Sequence, residues 1–247
     1  MIARLCLLIT VVAPVFLSGC FLPKKDPKLV AKIDAAFQKK GTVVLDAAGW
    51  IPWEVGHWAL IASEDSKGNR SLVEYSIVAK EGDGFWLQTV TTNPDRESET
   101  QLLVEGYDAK DLKKTVIRRM RMRDQNGEIQ EYNRDAQGGG FMALAMGAAI
   151  SMADGVLASM RQTEAASVPE DITVPAGTVK GARKTPVGYT LPMGRGEGHN
   201  WYALVPAINF AQQIINVTTM GFTITVTSVL VDFGKSGAKD RFLPEKT

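Results

Sequence analysis

The stretch 71–91, SLVEYSIVAKEGDGFWLQTVT, decides the class of fold. Its first ten residues alternate between apolar and polar, which is the period of a half-buried strand. Glu81-Gly-Asp-Gly84 has the composition of a tight turn, and Phe85 to Thr91 predicts the returning strand. The apolar residues predicted on one face of the first strand are Val73, Tyr75, Ile77 and Ala79.

Strand patterns extend outward from this hairpin, from about residue 42 to residue 132. One strand is predicted before it at 55–63, and three after it at 99–105, 112–123 and 128–133. The spacing of strands and turns is typical of an antiparallel meander and differs from that of βαβ units.

The last of these strands form a second predicted hairpin around Asp124-Gln-Asn-Gly127. A register with Met122 opposite Ile129 places Arg123 opposite Glu128, so apolar faces and opposite charges agree.

β patterning resumes after a polar linker predicted at Arg161–Asp171. Strands are predicted at 172–184, 200–205, 210–217 and 221–233. The stretch from Lys180 to Gly198, with three glycines in Gly194-Arg-Gly-Glu-Gly198, predicts a mobile loop, and no helix follows it to support phosphate binding. Two acidic pairs, Glu97/Glu99 and Glu170-Asp171, are interpreted as solvated loops.

Residues 141–160 predict an apolar helix after Gly138-Gly-Gly140. One face carries small residues four apart, and the other carries a bulky stripe. A membrane span is disfavoured by the glycine and alanine content and by Asp154. We therefore predict a mainly β (α+β) fold, a curved antiparallel sheet or half-barrel with this helix packed on or over its concave face. Its bulky stripe comprises Met142, Met146, Ala149, Ile150, Ala153, Leu157 and Met160.

The first twenty residues have the features of an export signal: Arg4 as the only charge, a short apolar run and small residues at the end. They end in Leu17-Ser18-Gly19-Cys20, which resembles the lipobox of bacterial lipoproteins. That resemblance implies a signal peptide at 1–19, lipid on Cys20 and a tether at 20–27. It also implies an envelope location facing the periplasm, with Phe21 permitting transfer to the outer membrane.

Removal of residues 1–19 leaves 247 − 19 = 228 residues, which we assign to the tether and a single domain at 28–247. The removed part contains one of the 28 basic residues, so the mature chain has 27 basic and 27 acidic residues. This balance excludes a nucleic-acid partner. The only cysteines are Cys6 and Cys20, which excludes disulfides and thiolate sites from the domain.

A short amphipathic helix is predicted after the tether. Asp26-Pro27 predicts its N-cap and first turn, and Gly41 is interpreted as its C-terminal stop. Two roles remain open: docking on the domain, which is favoured, or contact with anionic headgroups. The apolar residues at helical spacing are Leu29, Ile33, Ala36 and Phe37.

Several short motifs resemble a group of functionally uncharacterised bacterial envelope proteins related to the LolA/LolB-type half-barrels, which cradle lipoprotein acyl chains. The motifs are Val55-Gly-His-Trp58, Tyr75-Ser-Ile-Val78, Phe85-Trp86, Val174-Pro-Ala-Gly-Thr-Val-Lys180, Trp201-Tyr202, Val205-Pro206 and Leu230-Val-Asp-Phe-Gly234. Val179 stands where an aromatic is usual, and Ala207 follows Val-Pro where the group has glycine. The resemblance implies a curved antiparallel sheet wrapped on a helix.

Few residues are candidates for catalysis. The chain has two histidines, His57 and His199, and no His-Glu-x-x-His or Gly-x-Ser-x-Gly pattern, so no metal, cofactor or catalytic residue is assigned. The run Arg118, Arg119, Arg121, Arg123 is either a phosphate site or, as favoured, the charged outer face of a sheet.

The expected function is a membrane-anchored, non-enzymatic lipoprotein that binds a lipid, acyl chain or apolar peptide in a half-barrel. Tryptophan and methionine suit such a cavity, although both also fill ordinary cores. The alternatives are a structural or assembly lipoprotein with a protein partner and, less favoured, an envelope hydrolase that uses His199. The predicted cavity residues are Trp58, Trp86, Met142, Met146, Ile150 and Trp201.

Overall fold

The computed structural model describes residues 24–47, 51–107, 115–123, 127–133, 167–191, 194–219 and 221–242. The lipobox with Cys20 and the predicted helix at 141–160, with Met142, Met146 and Ile150, lie outside these ranges. The described residues form a mainly β fold with one short helix, which confirms the predicted class.

The helix is α1 (Pro27–Gln38). The strands are β1 (Val43–Asp46), β2 (Trp58–Asp65), β3 (Arg70–Glu81), β4 (Gly84–Thr92), β5 (Glu97–Glu105), β6 (Val116–Arg123), β7 (Ile129–Asn133), β8 (Val168–Val174), β9 (Gly177–Leu191), β10 (Gly194–Tyr202), β11 (Phe210–Thr219) and β12 (Phe222–Gly234).

All twelve strands belong to one sheet in the order β1-β9-β10-β11-β12-β2-β3-β4-β5-β6-β7, with β8 paired to β9. Every pairing is antiparallel except that of β1 with β9, and β1 and β7 do not pair with each other. Two meanders, β2–β7 and β8–β12, are joined where the last strand pairs with β2. The described strands thus form a curved, unclosed sheet.

Trp53 shows how strongly the sheet is curved. Its indole N–H donates to the carbonyl of Ala207, in the turn between β10 and β11, at 2.8 Å. Its ring also lies 6.1 Å from the ring of Phe85 on β4. In a flat sheet β11 and β4 lie four strand spacings apart, about 19 Å. The curvature therefore brings strands four positions apart within reach of one side chain.

The two faces of the sheet differ in what they pack against. The inner face holds the main core, a cluster that includes Ile61, Tyr75, Leu87 and Leu102. The outer face has a smaller cluster beneath α1, in which Ile33 packs with residues of β2, β3 and β12. Each face therefore has its own apolar packing.

Helix α1 begins as predicted. The Asp26 carboxylate accepts a hydrogen bond from the Lys28 N–H at 2.8 Å, and Pro27 is the first helical residue. Ile33 and Ala36 are buried against the sheet, which confirms the docking interpretation. The helix ends at Gln38 with Lys39 as its C-cap, so the assignment of Gly41 as the stop is wrong.

β-bulges move two predicted residues to other positions. A bulge between Ile77 and Ala79 places Ala79 opposite Trp86, on the outer face, whereas Ile77 stays opposite Leu87. In the β6–β7 hairpin, Met122 pairs with Gln130 and Arg123 with Ile129, one residue away from the predicted register. A second bulge in β6, at Arg118, keeps Ile117 and Met120 on the same face.

Three segments predicted as loops or linkers are strands. The glycine-rich stretch 194–198 lies in β10, Glu97 and Glu99 lie in β5, and β8 begins at Val168, inside the predicted linker. Their polar composition resembles that of loops, but each pairs with a neighbouring strand that supplies its backbone partners. Pairing therefore overrides local composition here.

Close backbone approach explains the glycine of the Val-Pro-Ala-Gly-Thr motif. A Cβ atom on Gly177 would lie 2.0 Å from the Val43 carbonyl oxygen, and one on Gly41 would lie 2.1 Å from that of Ala176. Gly177 also has φ = +144°, in the region that favours glycine. The two glycines thus let β1 lie against the start of β9.

We expect Gly177→Ala to destabilise the protein more than Gly68→Ala. Gly68 has φ = +80° but no atom within 4 Å of its Cβ position, so its replacement costs only the left-handed conformation, about 1–2 kcal/mol. Gly177→Ala adds a backbone collision, which raises the cost by about 1–3 kcal/mol. Urea unfolding measures both. Equal losses would show that the approach of β1 does not depend on glycine.

Candidate ligand-binding face

One row of uncharged polar side chains crosses the inner face. Successive strands place these residues directly opposite one another in register, and we call them the inner polar row. Ser63 is two residues from Ile61 on β2, and Ser228 is two residues from Leu230 on β12. Both serines therefore lie on the same inner face as these two core residues. The row comprises Thr185, Asn200, Gln213, Ser228, Ser63 and Ser71 on β9, β10, β11, β12, β2 and β3.

Five members of the row, all except Ser71, are buried. Gln213 Nε2 donates to Asn200 Oδ1 at 2.7 Å, and the hydroxyls of Ser63 and Ser228 share a hydrogen bond of 2.9 Å. Buried polar groups are costly unless they are hydrogen-bonded, so these contacts stabilise a polar strip within an apolar face.

Thr91 continues the row onto β4. It pairs with Val73, so it lies diagonally across from Ser71 on the inner face. Its side-chain oxygen is buried, and no described residue hydrogen-bonds to it. An unsatisfied buried hydroxyl costs about 1–3 kcal/mol, so a hydrogen-bond acceptor placed at this hydroxyl would be stabilised by it.

The other end of the inner face is apolar and closed by aromatic rings. Trp53 stacks on Tyr107 with ring centroids 4.0 Å apart and an interplanar angle of 15°. Phe85 meets the same indole edge-on at 88°. The inner face therefore runs from an aromatic end to the inner polar row.

The turn behind this aromatic end has an uncommon backbone. Ala207 and Asn209 have φ values of 64° and 54°, which side chains other than glycine adopt rarely. The Asn209 amide accepts from the Ile51 N–H at 2.8 Å and donates to the Ile51 carbonyl at 3.1 Å. The alanine that departs from the motif of the resembled group thus occupies a conformation suited to glycine, and the Asn209 and Trp53 contacts hold it.

Of the three described tryptophans of the predicted cavity, Trp58 and Trp86 lie away from this face, whereas Trp201 is packed into the main core cluster. Trp58 and Trp86 pair with Ser76 and Leu103 on the outer face, and Trp201 pairs with Lys184. Each indole N–H already has an acceptor at 3.0 Å: the Ser236 carbonyl, Glu81 and Glu170, respectively. An indole needs a polar partner when buried, and these partners lie outside the inner face.

The C-terminal strap, residues 235–242, covers part of the outer face. Gln88 donates to the Lys239 carbonyl at 2.9 Å and accepts from the Arg241 N–H at 2.8 Å. Gln101 donates to Asp240 at 2.6 Å. The two glutamines are fully buried by this contact, so the strap completes the outer surface of the central strands.

The four arginines of β6 lie in a network of ion pairs. Arg118 contacts Glu105 at 2.7 Å, Arg123 contacts Glu99 at 3.1 Å, and Arg119 and Arg121 both contact Glu131. Burial raises the pKa of the Glu131 carboxyl, but the hydrogen bonds from Arg121 and Arg119 outweigh it and the pKa is lowered. The interpretation as a charged outer face is confirmed.

The two histidines lie on different elements of the fold. His57 is buried just before β2, and His199 is an exposed residue of β10 beside Trp201, so its assignment to a mobile loop is wrong. Within the described ranges, no three His, Cys, Asp or Glu side chains converge as a metal site. Among the same residues, no helix has the length and apolar character needed to cross a bilayer.

The inner polar row escaped sequence reasoning because it depends on register between distant strands. Ser63 falls at the end of one predicted strand, and Asn200 at the start of another. The sequence does show polar residues at positions where the strand alternation would place apolar ones. It does not show which of these residues face each other across neighbouring strands.

Comparison with known proteins gives only distant similarity. No protein-family model matches the chain, and no curated protein matches it. A structure named as a candidate lipoprotein from Parabacteroides distasonis is 14% identical, with a TM-score of 0.32 and coverage of 74% of this chain and 97% of that one. At this TM-score the similarity carries no argument about function.

Two further structures are similar at the same level. One is a candidate exported protein with a YmcC-like fold from Bacteroides fragilis, 11% identical with a TM-score of 0.31, covering 75% of this chain and 98% of that one. The other is a DUF1329 family protein from Desulfovibrio piger, 7% identical with a TM-score of 0.31, covering 88% and 95%.

We expect the free energy of unfolding to fall as the pH drops below 6.5, in part because of His57. Burial lowers the pKa of His57 below its ordinary value of 6.5; Glu54 opposes this shift and Lys235 reinforces it. The unfolded chain therefore binds the proton first, and the stability contributed above 6.5 is lost as the pH falls through the folded-state pKa.

Urea unfolding between pH 8 and pH 5 measures this decline. His57→Gln should flatten it, whereas His199→Gln should retain it because His57 is still present. An unchanged pH dependence in His57→Gln would contradict the assignment of this decline to His57.

Proposed function

We propose that the protein is a lipid-anchored, non-enzymatic protein of the bacterial cell envelope, whose inner sheet face binds the apolar chain of a lipid or acyl group. The separation of charge between the two faces carries this proposal. No lysine, arginine, aspartate or glutamate is among the buried residues of the described ranges. The ion-pair networks lie on the outer face, and the buried inner face is apolar or neutral.

The N-terminal sequence supports the attachment of the protein to a membrane by lipid on Cys20. The export signal ends in Leu17-Ser18-Gly19-Cys20, and α1 begins at Pro27, 27 − 20 = 7 residues after the cysteine. Seven extended residues span at most about 25 Å, so lipid on Cys20 would hold the domain next to the membrane.

A second candidate is a structural or assembly lipoprotein. The burial of Tyr75, Leu87 and Phe210 on or beside the inner face favours it, because a filled core needs no ligand. In that case a protein partner would act on the outer surface. Binding of an apolar chain by the purified domain distinguishes the two functions.

We expect wild-type protein to remain with the membrane fraction and to need detergent for release. Two or more acyl chains give near-permanent attachment, at about 0.8 kcal/mol per buried methylene. Cys20→Ala should abolish the attachment without unfolding the domain. Fractionation of cells with both forms measures it, and detergent-free release of the wild type would contradict the lipobox assignment.

We expect the soluble Cys20→Ser form to bind a fluorescent sixteen-carbon fatty acid and to carry extractable lipid in native mass spectrometry. Leu102 and Leu103 offer a matched pair, because they are adjacent, equally buried and on opposite faces. Each change to alanine should cost about 2–5 kcal/mol of stability. Only Leu102→Ala, on the inner face, should change the Kd of the probe.

Absence of both probe binding and co-purified lipid would overturn the binding function and leave the structural one. A change in Kd with Leu103→Ala and none with Leu102→Ala would place the binding surface on the outer face.

A further inference from the structure

The inner polar row distinguishes the inner face from a uniformly apolar surface. Six neighbouring strands contribute hydroxyl or amide side chains to it, and none of these side chains is charged. Along β2, Ser63 lies two residues from Ile61 and four residues, about 13 Å, from Ala59, and both of these apolar residues are fully buried in the main core. The inner face is therefore amphipathic along the strands, with a polar strip at one end and an apolar floor beyond it.

We propose that the inner polar row and Thr91 bind the uncharged hydrogen-bonding linkage of an amphiphile, an ester or an amide, whose chain lies over the apolar floor. This inference rests on the proposed function and specifies its ligand class. The ligand's carbonyl oxygen accepts a hydrogen bond from the Thr91 hydroxyl. That hydroxyl is buried and has no partner among the described residues.

The absence of charge from the row selects against an ionised headgroup. A carboxylate or ammonium in this strip would lose its hydration without gaining an opposite charge, because no described lysine, arginine, aspartate or glutamate is buried. An ester or amide needs only the neutral donors and acceptors that the row supplies. The charged part of any such ligand would lie outside the buried strip.

Thr91 and Thr92 make the proposal testable at two adjacent residues. Thr91 points to the inner face and has no described partner, whereas Thr92 lies on the outer face and donates to Glu97 at 2.7 Å. Both are buried, at 3% and 2% exposure. Valine has nearly the shape of threonine without its hydroxyl, so the two changes remove the same group from opposite faces.

The probe is a fluorescent sixteen-carbon chain carried as a carboxylate, a methyl ester or a primary amide, titrated at pH 8 into delipidated Cys20→Ser protein. Thr91→Val should raise the Kd of the ester and amide about fivefold, the loss of one hydrogen bond. It should leave the Kd of the carboxylate unchanged and should raise the urea midpoint of the ligand-free protein, because the variant no longer buries an unsatisfied hydroxyl. Thr92→Val should lower the urea midpoint and leave all three Kd values unchanged.

Comparing variants for each headgroup cancels differences in water solubility among the probes. The double variant Ser63→Ala/Ser228→Ala, which removes two hydroxyls that hydrogen-bond to each other, is a second test and should weaken ester and amide binding in the same way.

Equal effects of Thr91→Val on all three headgroups, or no effect on any of them, would overturn the inferred ligand class while chain binding stands. Failure of all three probes to bind would overturn the proposed function itself.

Discussion

The contact of Trp53 with two distant parts of the sheet is the interaction on which the architecture depends. A long antiparallel sheet twists but does not by itself bring strands four spacings apart into contact. The indole of Trp53 supplies a hydrogen bond to the β10–β11 turn and two aromatic contacts to the β4–β5 side. Curvature makes the inner face concave, so that its residues from distant strands form one core rather than a flat layer.

The two faces of the curved sheet differ in charge and polarity. The outer face carries the charges, and α1, the C-terminal strap and the arginine–glutamate pairs cover most of its central strands. The inner face carries no buried charge, and several of its buried polar groups form one row. Changes in the surface charges therefore need not alter the inner face.

Local patterns predicted the elements well because the causes of strands and caps are local. Alternation identified β3 and β4, and Asp26-Pro27 identified the start of α1. Register could not be predicted, because a single bulge at Val78 or Arg118 shifts every later residue to the other face. For the same reason Trp58 and Trp86 were assigned to a cavity although they lie on the outer face, and the inner polar row was missed.

The pairing of β12 with β2 has a consequence for how the chain reaches its native state. These central strands are separated by most of the sequence, so the sheet stays in two halves until the last strand is available. Such non-local pairing slows folding. During synthesis, β2 therefore remains an unpaired edge of the early meander until β12 has been made. The central strand of the finished sheet is thus an exposed edge for most of the time the chain is being made.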